Sequence, residues 1–63
     1  MISSERQIER LLTVREVCEV LHIGKTRVYA MAASGELPAV RIGSALRFRP
    51  EQLRRWLETQ EKR

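Results

Sequence analysis

Apolar and polar residues alternate over residues 40–49, in the stretch VRIGSALRFR. The apolar positions are Val40, Ile42, Leu46 and Phe48, and arginines stand between them. Alternation with a period of two predicts strands that bury one face. Because Gly43-Ser44-Ala45 interrupts the alternation, we predict that the stretch forms a β-hairpin.

The same pattern predicts how the two strands of the hairpin pair. A two-residue loop would place Val40 opposite Arg47 and mix the two faces, so the pattern favours a loop of three or five residues. A three-residue loop creates three facing pairs, namely Ile42 with Leu46, Val40 with Phe48, and Arg41 with Arg47. Two arginines that face each other repel, so we expect the exposed face of the hairpin to bind a polyanion.

A first helix is predicted in LLTVREVCEVL, residues 11–21. Thr13 is a good N-cap, and Glu16 three residues later completes a capping box. The side chains that recur at helical spacing, and that we expect in the core, are Val14, Val17, Cys18 and Leu21. A lone thiol on such a face is interpreted as a small core residue.

A second helix is predicted from about Lys25 to Ala33, with Ser34-Gly35 as its stop. The link His22-Ile23-Gly24 is long enough only for a tight turn, so the two helices form a helix-turn-helix. His22 is expected in or near the left-handed region.

The faces of this second helix differ in character. Val28, Met31 and Ala32 point to the core, and the outward face is small at its centre and polar or basic at its edges. Small residues let a helix lie deep in a groove, and an alanine methyl can contact a thymine methyl.

A third helix is predicted after the hairpin, with Pro50 at its first position. Leu53, Trp56 and Leu57 form its apolar stripe, and Trp56 is predicted to be the central core residue. The predicted fold is mainly α with a small β-hairpin. Because an isolated hairpin is not stable, its apolar face packs on the helices and its arginine face forms a wing outside.

Length, composition and charge restrict the class of protein. We expect one domain over 11–63 after an N-terminal arm over 1–10 that is frayed or disordered. The single cysteine and the lack of a signal peptide or a bilayer-spanning apolar run predict a cytoplasmic protein. The net charge of +4 is concentrated in residues 25–50, which hold five basic residues and one acidic residue. A localised basic patch is typical of nucleic-acid binding.

Residues 11–57 resemble the excisionase-type, MerR-like winged helix-turn-helix domain. The motifs that carry the resemblance are L-T-x-x-E-V, T-R-V-Y, S-G-E-L-P-A-V-R-I-G and R-F-R-P-E-Q-L, in this order. The resemblance implies a DNA-binding protein without catalytic activity, whose second helix enters the major groove and whose wing reaches the minor groove or backbone. Ala30 departs from the family pattern, which often has a basic or polar residue there.

The resemblance also implies site residues and partners. By family role, Lys25, Thr26, Arg27, Tyr29 and Ala30 lie on the recognition helix, and Arg41 and Arg47 lie on the wing. Ser44 in the wing loop and Arg49 after the wing complete the expected set of DNA-binding residues.

We expect the partners to be double-stranded DNA, further copies of this protein on the DNA, and a site-specific integrase, in a bacterial or phage-infected cell. An excisionase is favoured, because the chain holds no second domain for a ligand. A small MerR-like transcriptional regulator is the alternative.

Other classes of function have less support in the sequence. No nucleophile–base pair, carboxylate pair or phosphate loop is present, so we expect no enzyme activity, no metal and no cofactor. A protein-interaction module would present an exposed apolar stripe, and we assign every apolar stripe to the core. Single-stranded RNA binding usually needs stacking aromatics, whereas Phe48 and Trp56 are assigned to the core.

Overall fold

The computed structural model describes residues 10–61 of the chain. Apart from Arg10, the N-terminal arm predicted over 1–10 lies outside the described residues. The elements are β1 (Leu12–Thr13), α1 (Val14–Leu21), α2 (Lys25–Ser34), β2 (Val40–Ile42), β3 (Ala45–Phe48) and α3 (Pro50–Glu61). Helix α1, the turn and helix α2 form the helix-turn-helix, and β2 and β3 form the wing. The predicted winged helix-turn-helix is confirmed.

Helix α1 begins at the predicted capping box. The amide of Glu16 donates to Thr13 Oγ1 over 3.1 Å, and the Thr13 amide donates to Glu16 Oε1 over 2.9 Å. Two backbone donors that a helix start would leave unpaired are thereby satisfied. At the other end His22 has φ 59°, ψ 41°, so the predicted left-handed residue that ends α1 is confirmed.

Helix α2 starts after Gly24, whose carbonyl accepts from the Val28 amide over 3.1 Å. Gly24 offers no side-chain cap. The helix ends one residue later than predicted, where Gly35 has φ 86°. The Leu37 amide then donates to the Met31 carbonyl over 3.0 Å, which directs the chain back to the core and leaves Leu37 only 1% exposed.

The sheet has three strands in the order β1-β3-β2, all antiparallel. Strand β1, in which Leu12 pairs with Phe48 and Thr13 pairs with Arg47, was not predicted from the sequence. Two residues give too little alternation to signal a strand. Because β1 covers the free edge of β3, Phe48 lies in the central strand.

The predicted register of the wing is wrong. The loop has two residues, Gly43 and Ser44, and the strand pairs are Val40–Arg47, Arg41–Leu46 and Ile42–Ala45. The positive φ of 60° at Gly43, the first loop position, matches a type II′ turn, whose twist suits a two-residue hairpin. The conformation that Gly43 allows in the turn therefore sets the register of the two strands, and the apolar alternation does not. As a result Arg41 and Arg47 lie on opposite faces and do not form the predicted facing pair.

The register also changes which side chains are buried. The buried core consists of Val14, Val17, Val28, Leu37, Leu46, Phe48 and Leu53. The predictions of burial for Val40 and Ile42 are wrong, because both share the outer face of the wing with Arg47; Val40 is half-buried and Ile42 is 53% exposed. Alternate residues of one strand share a face, so the slip of one position moves both together.

The centre of the core also differs from the prediction. Phe48 is fully buried, whereas Trp56 is only partly buried and packs against the margin of the core. Helix α3 presents Leu53 to the core, and the central strand already fills the middle with Phe48. Cys18, Met31 and Ala32 are partly buried against the core, on the side that the sequence predicted.

Candidate nucleic-acid interface

An open groove of about 440 Å³ lies where the start of α1, the first turns of α2 and the wing meet. We call it the helix–wing groove. Its lining consists of Thr13, Val14, Arg15, Lys25, Tyr29, Ser44, Ala45, Leu46 and Arg47. Three of these nine residues are basic and none is acidic, so the groove attracts anions.

Helix α2 supplies Lys25 and Tyr29, which are four residues apart and therefore share a face. Tyr29 is 49% exposed, so its ring and hydroxyl are accessible from the groove. Lys25 is the first residue of the helix, where backbone amides point outward and the helix dipole is positive. Because Gly24 provides no side-chain cap, these amides are not occupied by a capping oxygen.

The wing supplies Ser44 from its turn and Arg47 from its central strand. Arg47 lies opposite Thr13 on β1 and opposite Val40 on β2, so it projects from the middle of the outer face. Its Nη1 donates to the carbonyl of Leu46 over 2.9 Å. This bond leaves the other guanidinium donors for further partners.

Arg15 and Thr13 also line the groove, although the sequence did not predict them as site residues. Arg15 is the second residue of α1, next to the capping box, and is exposed. Its position in the groove depends on β1 pairing with β3, since that pairing holds the start of α1 beside the wing. An arginine in a capped first turn was visible in the sequence, but nothing there indicated the pairing.

Comparison with known proteins identifies the family. Residues 11–61 match the family model described as a helix-turn-helix domain. This chain belongs to the helix-turn-helix domain family. The family is one of DNA-binding domains of the excisionase type, which confirms the resemblance found in the sequence. Such domains are not catalytic.

Three curated relatives of this helix-turn-helix domain match. A "Putative DNA-binding protein" of Mycobacterium tuberculosis strain H37Rv is 36% identical over 58 residues, which is 92% of this chain and 74% of the relative. A protein of the same description in strain CDC 1551 gives the same values. A "Probable excisionase" of Saccharopolyspora erythraea is 51% identical over 38 residues, or 60% of this chain and 39% of that protein. No solved structure matches at a significant level.

The remaining predicted site residues of the helix-turn-helix domain lie outside the lining of the groove. Thr26, Arg27 and Ala30 are exposed on α2. Arg41 is exposed on the core-side face of the wing, opposite Leu46. Arg49 is exposed between β3 and α3. The structure therefore brings four of the nine predicted residues into one groove, namely Lys25, Tyr29, Ser44 and Arg47.

A second groove lies on another part of the domain, between the end of α2 and helix α3. It is lined by Gly35, Glu36, Pro38, Gln52, Arg55, Trp56 and Thr59. The charges of its one acidic residue and its one basic residue cancel, in contrast to the basic helix–wing groove. Across residues 10–61, no helix is long and apolar enough to cross a membrane.

Proposed function

We propose that this helix-turn-helix protein binds double-stranded DNA with α2 in the major groove and the wing on the adjacent minor groove or backbone. The helix–wing groove is the observation that carries the proposal, because it joins basic side chains of α1, α2 and the wing, and α2 and the wing would straddle one DNA backbone. A phosphate between them would meet Arg15, Lys25 and Arg47. Such contacts fix the position of a protein on the duplex.

The exposed residues of α2 would recognise the DNA base sequence. Thr26 and Arg27 offer hydrogen bonds to base edges, and Ala30 offers only a methyl group, so one copy has few means to distinguish base pairs. A single module of this size buries about 600–1,000 Å² on DNA. We infer that several copies bind side by side and that each contributes part of the specificity.

Within this function, we propose that the protein is an excisionase, which bends an attachment site and directs a site-specific integrase toward excision. The relative from Saccharopolyspora erythraea that is named a probable excisionase supports this role. Adjacent copies would each deform the duplex, and these deformations would add up to a bend. Bending costs on the order of several kcal/mol, and contacts between protein and DNA would offset this cost. The proposal requires no catalytic residue and no cofactor.

Binding to duplex DNA is expected to weaken steeply with salt. If three to five of the exposed cations contact phosphates, log K falls against log salt with a slope of about −3 to −5, since each neutralised phosphate contributes about 0.9. Fluorescence anisotropy of a duplex selected by the protein from a random pool, titrated at 50–300 mM KCl (roughly the range over which such contacts are lost), measures the slope. A flat salt dependence, or equal affinity for single strands, contradicts duplex binding.

Bending and cooperative binding are tested on the same selected duplex. Circular-permutation gel shifts are expected to show a bend that increases as further copies bind, with an affinity for the second copy that exceeds that for the first. One independent copy on unbent DNA rejects the excisionase role and favours a small transcriptional regulator. If the copies bend the DNA cooperatively but do not change the excision rate of a site-specific integrase, the protein is an architectural regulator instead.

A further inference from the structure

Ile42 is a large apolar residue that the fold leaves outside the core. It is the last residue of β2, directly before the Gly43-Ser44 turn, and it is 53% exposed. The three residues that follow it are small, so Ile42 is the one bulky apolar side chain at the tip of the wing. The tip is therefore slim, with a single apolar projection.

The face of the wing that carries Ile42 contributes Ala45 and Arg47 to the helix–wing groove. Ile42 pairs with Ala45, and residues that face each other in an antiparallel sheet share one side. Ala45, Arg47 and Thr13 lie on that side, and all three line the groove. Ile42 thus continues the proposed DNA-binding surface outward toward the wing tip.

The charges around Ile42 indicate which partner covers it. Arg47 lies on the same face as Ile42, two pairs further along β3, and Arg41, which precedes Ile42 in the chain, lies on the opposite face of the wing. A slim tip with one apolar side chain and an arginine on each face of the wing matches the DNA minor groove, where phosphates line both rims and apolar residues insert between base steps. An apolar protein partner would leave both cations without a complement.

We propose that Ile42 is a wedge that enters the minor groove, partly unstacks one base step, and so produces the bend. The inference rests on the proposed DNA binding and assigns the deformation to one side chain. Insertion of isoleucine, leucine or a similar residue kinks a duplex by roughly 20–90°. Arg47 and the other cations position the wing, and Ile42 changes the shape of the DNA.

The test compares Ile42→Ala with a matched control, Val20→Ala. Val20 is also apolar and is 59% exposed, and it lies on α1 outside the groove lining. Both variants remove exposed apolar atoms, so thermal melts are expected to stay close to that of the natural protein. The probe is the selected duplex with 2-aminopurine substituted singly at each adenine, because this base fluoresces more strongly when it is unstacked.

The natural protein and Val20→Ala are expected to bend the duplex and to raise the fluorescence at one step. Ile42→Ala is expected to bind roughly tenfold more weakly, because it loses apolar contact and recovers only part of this loss by leaving the bases stacked. Its salt slope should be unchanged, with a smaller bend and no fluorescence rise. Ile42→Leu should restore both signals. If Ile42→Ala bends and unstacks the duplex as the natural protein does, the proposed wedge role of Ile42 is wrong, whereas the proposed DNA binding is unaffected. If the natural protein itself fails to bind any duplex, the proposed function fails instead.

Discussion

Replacement of Arg47 by alanine is expected to weaken binding to duplex DNA by roughly ten- to a hundredfold, since a hydrogen bond to a charged group contributes about 1.5–3 kcal/mol. Arg47 projects from the middle strand of the wing into the helix–wing groove, with Thr13 and Val40 on either side. Anisotropy titrations at several salt concentrations measure the change. The salt slope is expected to become less steep by about 0.9, the contribution of one phosphate.

The free energy of unfolding separates a DNA contact from a structural role for Arg47. Within residues 10–61, the side chain of Arg47 makes one hydrogen bond, to the carbonyl of its neighbour Leu46, so the alanine variant is expected to lose no more than about 1 kcal/mol. A large drop in melting temperature would mean that Arg47 holds the wing together, and the loss of binding would then report misfolding.

Two further variants serve as controls for charge. Arg47→Lys keeps the charge but not the guanidinium, and is expected to retain the salt slope with an intermediate affinity. Arg54→Ala removes an exposed arginine of α3 that does not line the groove, and is expected to change binding little. If Arg54→Ala and Arg47→Ala lost the same affinity for DNA, the net charge of the protein rather than the helix–wing groove would account for binding.

Replacement of Phe48 by alanine is expected to remove most of the stability of the domain. Phe48 is fully buried in the central strand, and removal of such a ring destabilises by about 3–5 kcal/mol. A domain of this size has a total stability of roughly 3–9 kcal/mol. Urea denaturation followed by circular dichroism measures the loss, and the variant is expected to be partly unfolded without denaturant.

Tyr29→Ala is the matched control for the loss of an aromatic ring. Tyr29 is 49% exposed, so its removal is expected to change the unfolding free energy by less than about 1 kcal/mol while DNA binding weakens. A core that tolerates Phe48→Ala as well as Tyr29→Ala would contradict the packing described here. The partly buried Trp56 provides a fluorescence probe of the same transition.

The helices of this protein follow from local sequence signals. The capping box of Thr13 and Glu16, the left-handed His22, the stop at Gly35 and the start at Pro50 each involve residues within a few positions of one another. Their hydrogen bonds and backbone angles are satisfied locally, so the sequence predicts them and the structure confirms them. The basic residues and family motifs likewise predict the helix-turn-helix and place the protein among DNA-binding domains.

The pairing of β1 with β3 required the tertiary structure, because these two strands are distant in the chain. The short strand Leu12–Thr13 acquires its role only when it meets Phe48 and Arg47. That contact moves Arg15 into the helix–wing groove and makes Phe48 rather than Trp56 the centre of the core. The alternation in the wing predicted a buried Ile42, but a glycine with positive φ permits a two-residue turn and shifts the register by one. A slip of one residue exchanges the two faces of a strand, and so the tertiary structure alone decided that Ile42 lies outside, beside the groove.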